Sequence, residues 1–206
     1  MVKLVALDVA ILPPPDVTSR AIEYSAALSA GVASAFRRKT DGPHTLRLDG
    51  DHLPHVTLTQ HFVREEELDL AFSHVDDVLT GQPPLRIVIT GGGRSGHTLW
   101  MTVERTAELL DLHERLMEAL RGVERQEGGP HAFFDENGRV RDVLWVTGFR
   151  LKAGSSAYTP HITLGHGDQP PAIEPFAFDA TTIAACHLGR FCACRRVLRA
   201  WTLERV

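Results

Sequence analysis

The pentapeptide Pro54-His55-Val56-Thr57-Leu58 and its counterpart Pro160-His161-Ile162-Thr163-Leu164 decide the fold of this chain. Both follow the frame Pro-His-X-Thr-Leu, in which X is a β-branched residue. A single His-X-Thr triplet is expected by chance in a sequence with 11 histidines. Two copies that also share their proline, β-branched and leucine neighbours are not. The repeat therefore predicts one active site with two histidines.

Residue alternation around both copies predicts strands. Near the first copy the alternating sets are Val56, Leu58 and Phe62 on one side, and His55, Thr57, Thr59 and His61 on the other. Near the second copy they are Ile162 and Leu164, and His161 and Thr163. A period of two is typical of a half-buried strand. We therefore predict that the apolar sets face a core and that both His/Thr pairs share the opposite face.

The composition is that of an ordinary globular protein. With 206 residues, 43% of them hydrophobic, the chain can bury a core, and we predict a single domain over 1–206 made of two interlaced lobes. The net charge of −4 gives no broad basic surface for duplex nucleic acid. The first apolar run is interrupted at Asp8 and closed by Pro13, which favours a strand over a signal peptide or membrane span. We expect a cytoplasmic protein without a membrane partner.

Strands and helices are predicted along the rest of the chain. The predicted strands are 2–11, 53–63, 85–90, 97–104, the second motif strand, 181–188 and 193–204, and the predicted helices are 16–37, 64–80, 107–124 and 140–152. The glycine run 91–96 is predicted as a hairpin turn, and 128–139 as a loop. This order favours an α+β fold with two mostly antiparallel sheets, outer helices and a central cleft.

Several other residues near the motifs are candidates for the site. His61 shares the parity of His55 and can line the cleft, but we expect it at the surface. His166 has the opposite parity from His161, so the strand pattern excludes it from the site. Three aromatic residues are candidates for stacking on a base, with core packing expected for at least two of them: Phe62, Trp100 and Tyr158.

Cysteines and arginines cluster near the end of the chain. The three cysteines are Cys186, Cys192 and Cys194, an odd number that makes no disulfide framework and indicates reduced thiols. Together with His187 they could hold zinc, but no second Cys-X-X-Cys occurs, and we interpret them as buried thiols. The arginines are Arg190, Arg195, Arg196 and Arg199, a pattern typical of a solvated strand face.

The two motifs, their separation and the order of elements resemble the two-histidine (2H) phosphoesterases. This superfamily includes bacterial proteins called 2′-5′ RNA ligases and the 2′,3′-cyclic nucleotide phosphodiesterases. The resemblance implies a bilobal fold with pseudo-twofold symmetry, whose motifs face each other across a cleft, and a reaction without metal or cofactor. It assigns acid–base catalysis to His55 and His161, and binding of the phosphoryl oxygens to Thr57 and Thr163.

The chemistry of these residue types agrees with that assignment. Opening a cyclic phosphodiester requires one group to take a proton from water and another to give one to the departing ribose oxygen. Imidazole can do either at neutral pH, and threonine hydroxyls can donate to the non-bridging oxygens. The expected protein is a monomer that hydrolyses a 2′,3′-cyclic phosphate or a 2′-5′ linkage, on a nucleotide or at an RNA 3′ end.

Two other classes of function stay open. A non-catalytic RNA- or nucleotide-binding module would keep the cleft, but it would be free to lose a histidine, and both motifs here are intact. A metal-dependent hydrolase ranks last, because the sequence has no His-X-His, no His-Glu-X-X-His and no carboxylate cluster at ligand spacing. The sequence does not tell which histidine is the acid, or whether ligation or hydrolysis is the physiological direction.

Overall fold

The computed structural model describes residues 2–32 and 46–204, with the side chains of 2–28 and 46–204. Its strands are β1 Leu4–Leu12, β2 Val56–Arg64, β3 Leu85–Ser95, β4 Thr98–Val103, β5 His161–His166, β6 Phe176–Ala180, β7 Thr182–Leu188 and β8 Cys194–Thr202. Its α-helices are α1 Pro15–Val32, α2 Leu68–Leu79, α3 Ala107–Ala119, α4 Val140–Thr147 and α5 Phe149–Ala153. Residues 33–37 of the predicted first helix lie outside the described residues.

The eight strands form one antiparallel sheet in the order β6-β3-β4-β5-β2-β1-β7-β8. The motif strands β2 and β5 are neighbours at its centre, joined through the pair Val56 and Ile162. On its outer side each motif strand pairs with the strand that precedes it, β1 or β4. The α+β class is confirmed, but the prediction of two sheets is wrong, because this central pairing joins the two four-stranded halves.

Helices α1, α2 and α3 cover one face of the sheet and enclose the main core. The apolar stripe of α3 buries Leu109, Leu112 and Leu116 against the strands, as its helical spacing predicts. Its first turn is capped by the Thr106 hydroxyl, which accepts the backbone N–H of Leu109. Such caps contribute about 1 kcal/mol. Within the described residues, no helix is both long and apolar enough to cross a membrane.

The opposite face of the sheet carries a smaller core. Phe62 and Cys194 pack there with Phe133 of the 128–139 stretch and Val146 of α4. This cluster covers the half of the sheet that contains β1, β2 and β7. The candidate site lies beside it, in front of β2, β4 and β5.

Three elements differ from the sequence prediction. The helix predicted over 140–152 is two helices, α4 and α5, separated at Gly148. Gly91, Gly92 and Gly93 continue β3 and pair with β4, so the turn is shorter than predicted. A Cβ on Gly93 would lie 2.2 Å from Nε1 of Trp100, so the missing side chain lets the indole lie across β3. The edge strand β6 was not predicted, because a proline-rich stretch precedes it and its alternation is short.

Candidate active site

A β-bulge falls within the first motif. Thr57 of β2 pairs with Ala10 of β1, whereas the next paired residues are Thr59 and Val9. Leu58 is therefore an extra residue without a partner in β1. Such a bulge shifts the alternation of side chains by one position.

The second motif repeats the bulge at the same position. Thr163 of β5 pairs with Trp100 of β4, and the next paired residues are Gly165 and Leu99. Leu164 is the extra residue here. The two motifs thus match in backbone geometry as well as in sequence, since each bulges at its leucine.

The first bulge changes which side chains follow Thr57 on the cleft face. Gln60 lies in the cleft, three residues after Thr57, and Thr59 turns to the opposite face. The surface position predicted for His61 is wrong. This histidine is 2% exposed, with Nδ1 3.4 Å from a carboxylate oxygen of Glu124 and Nε2 against the Thr59 hydroxyl.

The second bulge brings His166 into the cleft, in the position that corresponds to Gln60. Excluding His166 by strand parity was therefore wrong. Its Nδ1 accepts the backbone N–H of Leu46 at 3.0 Å, and its ring lies 5.3 Å from that of Phe191. Burial lowers the pKa of His166, which favours the neutral ring that this hydrogen bond requires.

A pair of stacked rings supports the bulged backbone of β2. His113 Nδ1 donates to the carbonyl of Leu58 at 2.5 Å, and the Tyr158 hydroxyl donates to the carbonyl of Thr57 at 2.8 Å. The two rings are parallel within 3°, with centroids 3.9 Å apart. Phe62 and Tyr158 therefore pack in the core, although Tyr158 also borders the cleft, and Trp100 is the stacking candidate that lines the cleft without being buried. This agrees with the expectation for at least two of them.

The two motif histidines are oriented by the same local contact. His55 Nδ1 lies 2.8 Å from the carbonyl oxygen of Leu53, and His161 Nδ1 lies 2.7 Å from that of Thr159. Each carbonyl belongs to the residue two positions earlier in the chain. When Nδ1–H donates to it, Nε2 is the ring nitrogen left for chemistry in both histidines.

The surroundings of the two Nε2 atoms differ. Nε2 of His55 lies 3.7 Å from Oδ2 of Asp8, a fully buried carboxyl group. The His161 ring instead lies over the indole of Trp100, at 4.9 Å between centroids and 36° between planes. Burial lowers the pKa of His161, and the charge of His55 acts in the same direction. One histidine thus faces a carboxyl group and the other an aromatic ring.

Asp8 is the fully buried carboxyl group beside the motifs, and sequence reasoning missed it. Its Oδ2 accepts the Thr57 hydroxyl at 2.9 Å and the Gln60 amide at 2.7 Å, while Oδ1 is buried without a hydrogen-bond partner among the described residues. Burial raises the pKa of Asp8, although His55 opposes the shift. Its signal in the sequence was a lone charged residue inside the apolar run of β1.

The motif threonines also differ. The Thr57 hydroxyl donates to Asp8, so it must turn to reach a ligand. Thr163 makes no hydrogen bond through its hydroxyl within the described part of the chain, and it lines the same cleft. Thr163 is therefore the more available donor of the two.

The cleft that contains both motifs has a volume of about 560 Å³. That lies within the range of about 300–1,000 Å³ usual for small-molecule sites. Its walls add three cations and five aromatic rings: Arg139, Arg141, Lys152, Trp100, Trp145, Phe149, Tyr158 and Phe191. Arg139 is held by Asp142, and Lys152 bonds the carbonyl of Leu144, whereas Arg141 forms no ion pair or hydrogen bond with any described residue. The four arginines noted at 190–199 do not line the cleft.

The cysteines form no zinc site of the kind considered from sequence. All three are free thiols, and His187 bonds the carbonyl oxygen of Ala132 instead of joining them. Cys186 and Cys194 are buried, as expected, and Cys192 is half-buried at the cleft wall. One metal-type group does converge elsewhere, formed by Asp8, His55 and Cys194, whose ligand atoms lie within 4.8 Å of one another.

Known proteins share this fold, and one family model matches most of the chain. The model of the 2′-5′ RNA ligase superfamily matches residues 26–191. The structure is similar to TT0787 of Thermus thermophilus, with 19% identity and a TM-score of 0.59, over 97% of this chain and 98% of that one. It is also similar to E. coli LigT complexed with NADP+, with 17% identity and a TM-score of 0.55 over 98% and 100% of the chains. For E. coli LigT complexed with 3′-AMP, the identity is 17% and the TM-score is 0.50, over 98% of this chain and 99% of that one.

No curated protein matches the chain by sequence. At identities below one fifth, the solved structures establish the fold alone. The family match is more specific, because it spans well over half of the chain and includes both motif strands. The chain therefore belongs to the 2′-5′ RNA ligase superfamily, and the expected membership of the two-histidine phosphoesterases is confirmed.

Proposed function

We propose that this protein is a metal-independent phosphoesterase that hydrolyses 2′,3′-cyclic phosphates or 2′-5′ linkages of nucleotides or RNA ends. The observation that carries the proposal is the matched presentation of His55 and His161. Each follows a proline, precedes a β-bulge by three residues and lies within hydrogen-bond distance of its own backbone through Nδ1, so that both Nε2 atoms are left for proton transfer in one cleft. A structural histidine pair has no need of this repetition.

The surroundings of the two rings favour different roles in hydrolysis. Burial against Trp100 disfavours the charged form of His161, so this histidine starts neutral and takes the proton from the attacking water. Nε2 of His55 lies 3.7 Å from the carboxyl group of Asp8, and we assign to His55 the role of the general acid that gives a proton to the departing ribose oxygen. The roles exchange in the ligating direction.

Charge that develops on phosphorus in the transition state requires donors on the remaining oxygens. Thr163 supplies one hydroxyl, and Thr57 supplies another when it turns from Asp8. Arg141 is the cleft cation without another partner in the described chain, and it suits the phosphate of a nucleotide or of an RNA end. Trp145 lines the cleft and is 40% exposed, so it offers a flat surface for a base, whereas the ring of Phe191 already stacks with the guanidinium of Arg139.

The structural relatives support a nucleotide as the ligand. E. coli LigT has been crystallised with 3′-AMP and with NADP+, both of which carry a ribose phosphate. The corresponding ligands proposed here are 2′,3′-cyclic mononucleotides, oligoribonucleotides that end in a cyclic phosphate, ADP-ribose cyclic phosphate and 2′-5′ dinucleotides.

The proposal is tested by incubating the purified protein with these four ligand classes in the presence of EDTA, and separating the products by chromatography. We expect hydrolysis of at least one class, at a rate that prolonged dialysis against EDTA does not reduce. Loss of activity on chelation, restored by zinc or manganese, would contradict a metal-free mechanism.

A binding measurement separates the proposal from the non-catalytic alternative. A nucleotide-binding module would bind one of the ligands in a titration and return it unchanged after long incubation. Turnover that is lost in His161→Ala, with the ligand still bound, identifies the enzyme.

A further inference from the structure

The group formed by Asp8, His55 and Cys194 lies beneath the catalytic face, and the thiol of Cys194 has no part in the proposed phosphoester chemistry. Its three ligand atoms are a carboxylate oxygen, an imidazole nitrogen and a thiol sulfur, all within 4.8 Å of one another. Asp8 and Cys194 are fully buried, and the His55 side chain is 11% exposed at the cleft. The group is thus reached from the cleft past His55.

The fold holds these three residues together from separate parts of the chain. Asp8 lies in β1, His55 precedes β2, and Cys194 begins β8. The backbone N–H of Leu53 donates to the carbonyl of Cys194 at 2.9 Å, which ties the first motif to β8. The convergence therefore depends on the main chain, not on three mobile surface side chains.

Distances within the group suit a tetrahedral ion. Zinc bonds of about 2.0–2.3 Å to N, O and S ligands place neighbouring ligand atoms roughly 3.3–3.8 Å apart. Nε2 of His55 and Oδ2 of Asp8 are 3.7 Å apart, inside that range. Ligand atoms that lie as far apart as 4.8 Å would have to move about 1 Å closer together to bind the same ion.

Within the described residues, the hydrogen bonds of His55 and Asp8 leave one acceptor atom on each side chain without a donor. His55 donates through Nδ1 to the carbonyl of Leu53, which directs a lone pair on Nε2 toward Asp8. A neutral imidazole lone pair and a carboxylate oxygen repel each other unless a cation or proton lies between them. The second oxygen of Asp8 is buried without a partner among the described residues. Both features favour a positive ion at this point.

We propose that Asp8, His55 and Cys194 bind a zinc-class divalent cation and that the bound ion inhibits the two-histidine site. The thiol of Cys194 releases its proton to solvent on binding, so thiolate and carboxylate together balance the two positive charges. A fourth position faces the cleft and is filled by water or by a phosphate oxygen. Inhibition follows because the ion occupies Nε2 of His55, the atom that transfers a proton. The inhibitory part rests on the proposed function, whereas the binding part does not.

Binding is measured first, with Co²⁺ as the spectroscopic probe. Reduced protein, freed of metal by EDTA and desalted, is titrated with Co²⁺ under nitrogen with a phosphine reductant. We expect one equivalent to bind and to give a near-ultraviolet thiolate-to-cobalt band that Zn²⁺ then abolishes. Absence of this band in the wild-type protein would overturn the proposal.

Matched variants then assign the ligands. Cys194→Ala and His55→Ala each remove one ligand and should weaken Zn²⁺ binding by at least about tenfold. Cys192→Ala and His161→Ala remove a neighbouring thiol and the other motif histidine, and both should retain the wild-type affinity. A cobalt band that persists in Cys194→Ala, or that disappears in His161→Ala as well, would contradict the assignment. If Cys194→Ala does not fold, Asp8→Asn provides the second ligand test, with loss of affinity expected and retention contradicting the site.

Inhibition is measured last, on the wild type and Cys194→Ala. Without metal, both should hydrolyse the substrate at similar rates, since Cys194 contacts no substrate. The Zn²⁺ concentration that halves the rate should rise at least about tenfold in Cys194→Ala. Equal inhibition of both proteins would overturn the inhibitory role. If no substrate is turned over, the proposed function fails while the cobalt titration still decides the metal site.

Discussion

At the scale of single residues, the site combines a repeat that sequence alone can find with contacts that it cannot. His55, His161, Thr57 and Thr163 were predicted because each motif places its histidine and threonine two positions apart on a strand. The contact of Asp8 with Thr57 could not be predicted, because it joins residues 49 positions apart through the pairing of β1 with β2. Its hydrogen bonds follow from strand register, which no local pattern encodes.

The histidines themselves give the first prediction. His55→Ala and His161→Ala should each lower kcat by about 10²–10⁴-fold, because each removes one of the two proton-transfer groups. The fold should persist, since both rings lie at the cleft and not in the main core. Steady-state kinetics together with circular dichroism check this. Either variant retaining wild-type kcat while folded would refute the assignment.

The threonines should matter less than the histidines. Thr57→Val and Thr163→Val each remove one neutral hydrogen bond to the phosphoryl group, worth about 1 kcal/mol, or about fivefold in rate. Thr163→Val tests this most directly, because Thr57 also bonds Asp8. Kinetic constants for both variants are compared with those of the histidine variants. A loss in Thr163→Val as large as in His161→Ala would mean that the hydroxyl has another role.

The rate should depend on pH as a bell-shaped curve. The rate rises as His161 loses its proton, and burial lowers the pKa of His161, so the acid limb should lie below the ordinary value of about 6.5. The rate falls again when the general acid loses its proton at higher pH. Both limbs belong to the coupled pair. A kcat/KM that climbs steadily from about pH 5 to 10 would exclude two-histidine catalysis.

At the scale of elements, the bulges explain both the success and the failure of strand parity. Alternation correctly predicted β2 and β5, and it placed Thr57 and Thr163 on one face. Alternation failed beyond each motif leucine. It placed His61 on the cleft face and His166 on the opposite face, whereas His61 faces away from the cleft and His166 lines it. A bulge is defined by the register between two paired strands, here β1 with β2 and β4 with β5. A single strand sequence therefore gives no sign of it.

The hydrogen bond from Tyr158 to the bulged backbone of β2 gives a prediction about this strand. Tyr158→Phe removes the donor to the carbonyl of Thr57, and a buried group left without its partner costs about 1–3 kcal/mol of unfolding free energy. The rate should fall as well, because this carbonyl lies between His55 and the bulge. Denaturant unfolding and kinetics measure both effects. Tyr24→Phe on α1 is the matched control, and equal effects of the two changes would contradict a specific role for Tyr158.

At the scale of the whole molecule, one sheet brings the two motifs together. The sequence predicted most strands and helices, because alternation and apolar stripes are local. It did not predict that the halves share a sheet, because only the pair of Val56 and Ile162 joins β2 to β5. The edge strand β6 was missed for a similar reason, since its five residues gain their order from pairing with β3.

One buried and three half-buried histidines make the stability of the whole molecule depend on pH. Burial lowers the pKa of His113, His161, His166 and His187. Each therefore binds its proton more readily in the unfolded chain, so the stability present above about pH 6.5 should be lost as pH falls toward the lowered values. The free energy of unfolding then falls by about 1.4 kcal/mol per pH unit for each proton that the chain takes up on unfolding.

His113 is the sharpest test, because it is fully buried and donates to Leu58 through Nδ1. His113→Asn removes the titrating ring, and the new amide can still donate to the carbonyl of Leu58. The free energy of unfolding should therefore fall less between about pH 7 and pH 5 than it does in the wild type. The exposed His131→Asn should leave the slope unchanged. Urea unfolding at several pH values measures all three proteins. A slope in His113→Asn equal to that of the wild type would mean that His113 accepts its proton without opening the core.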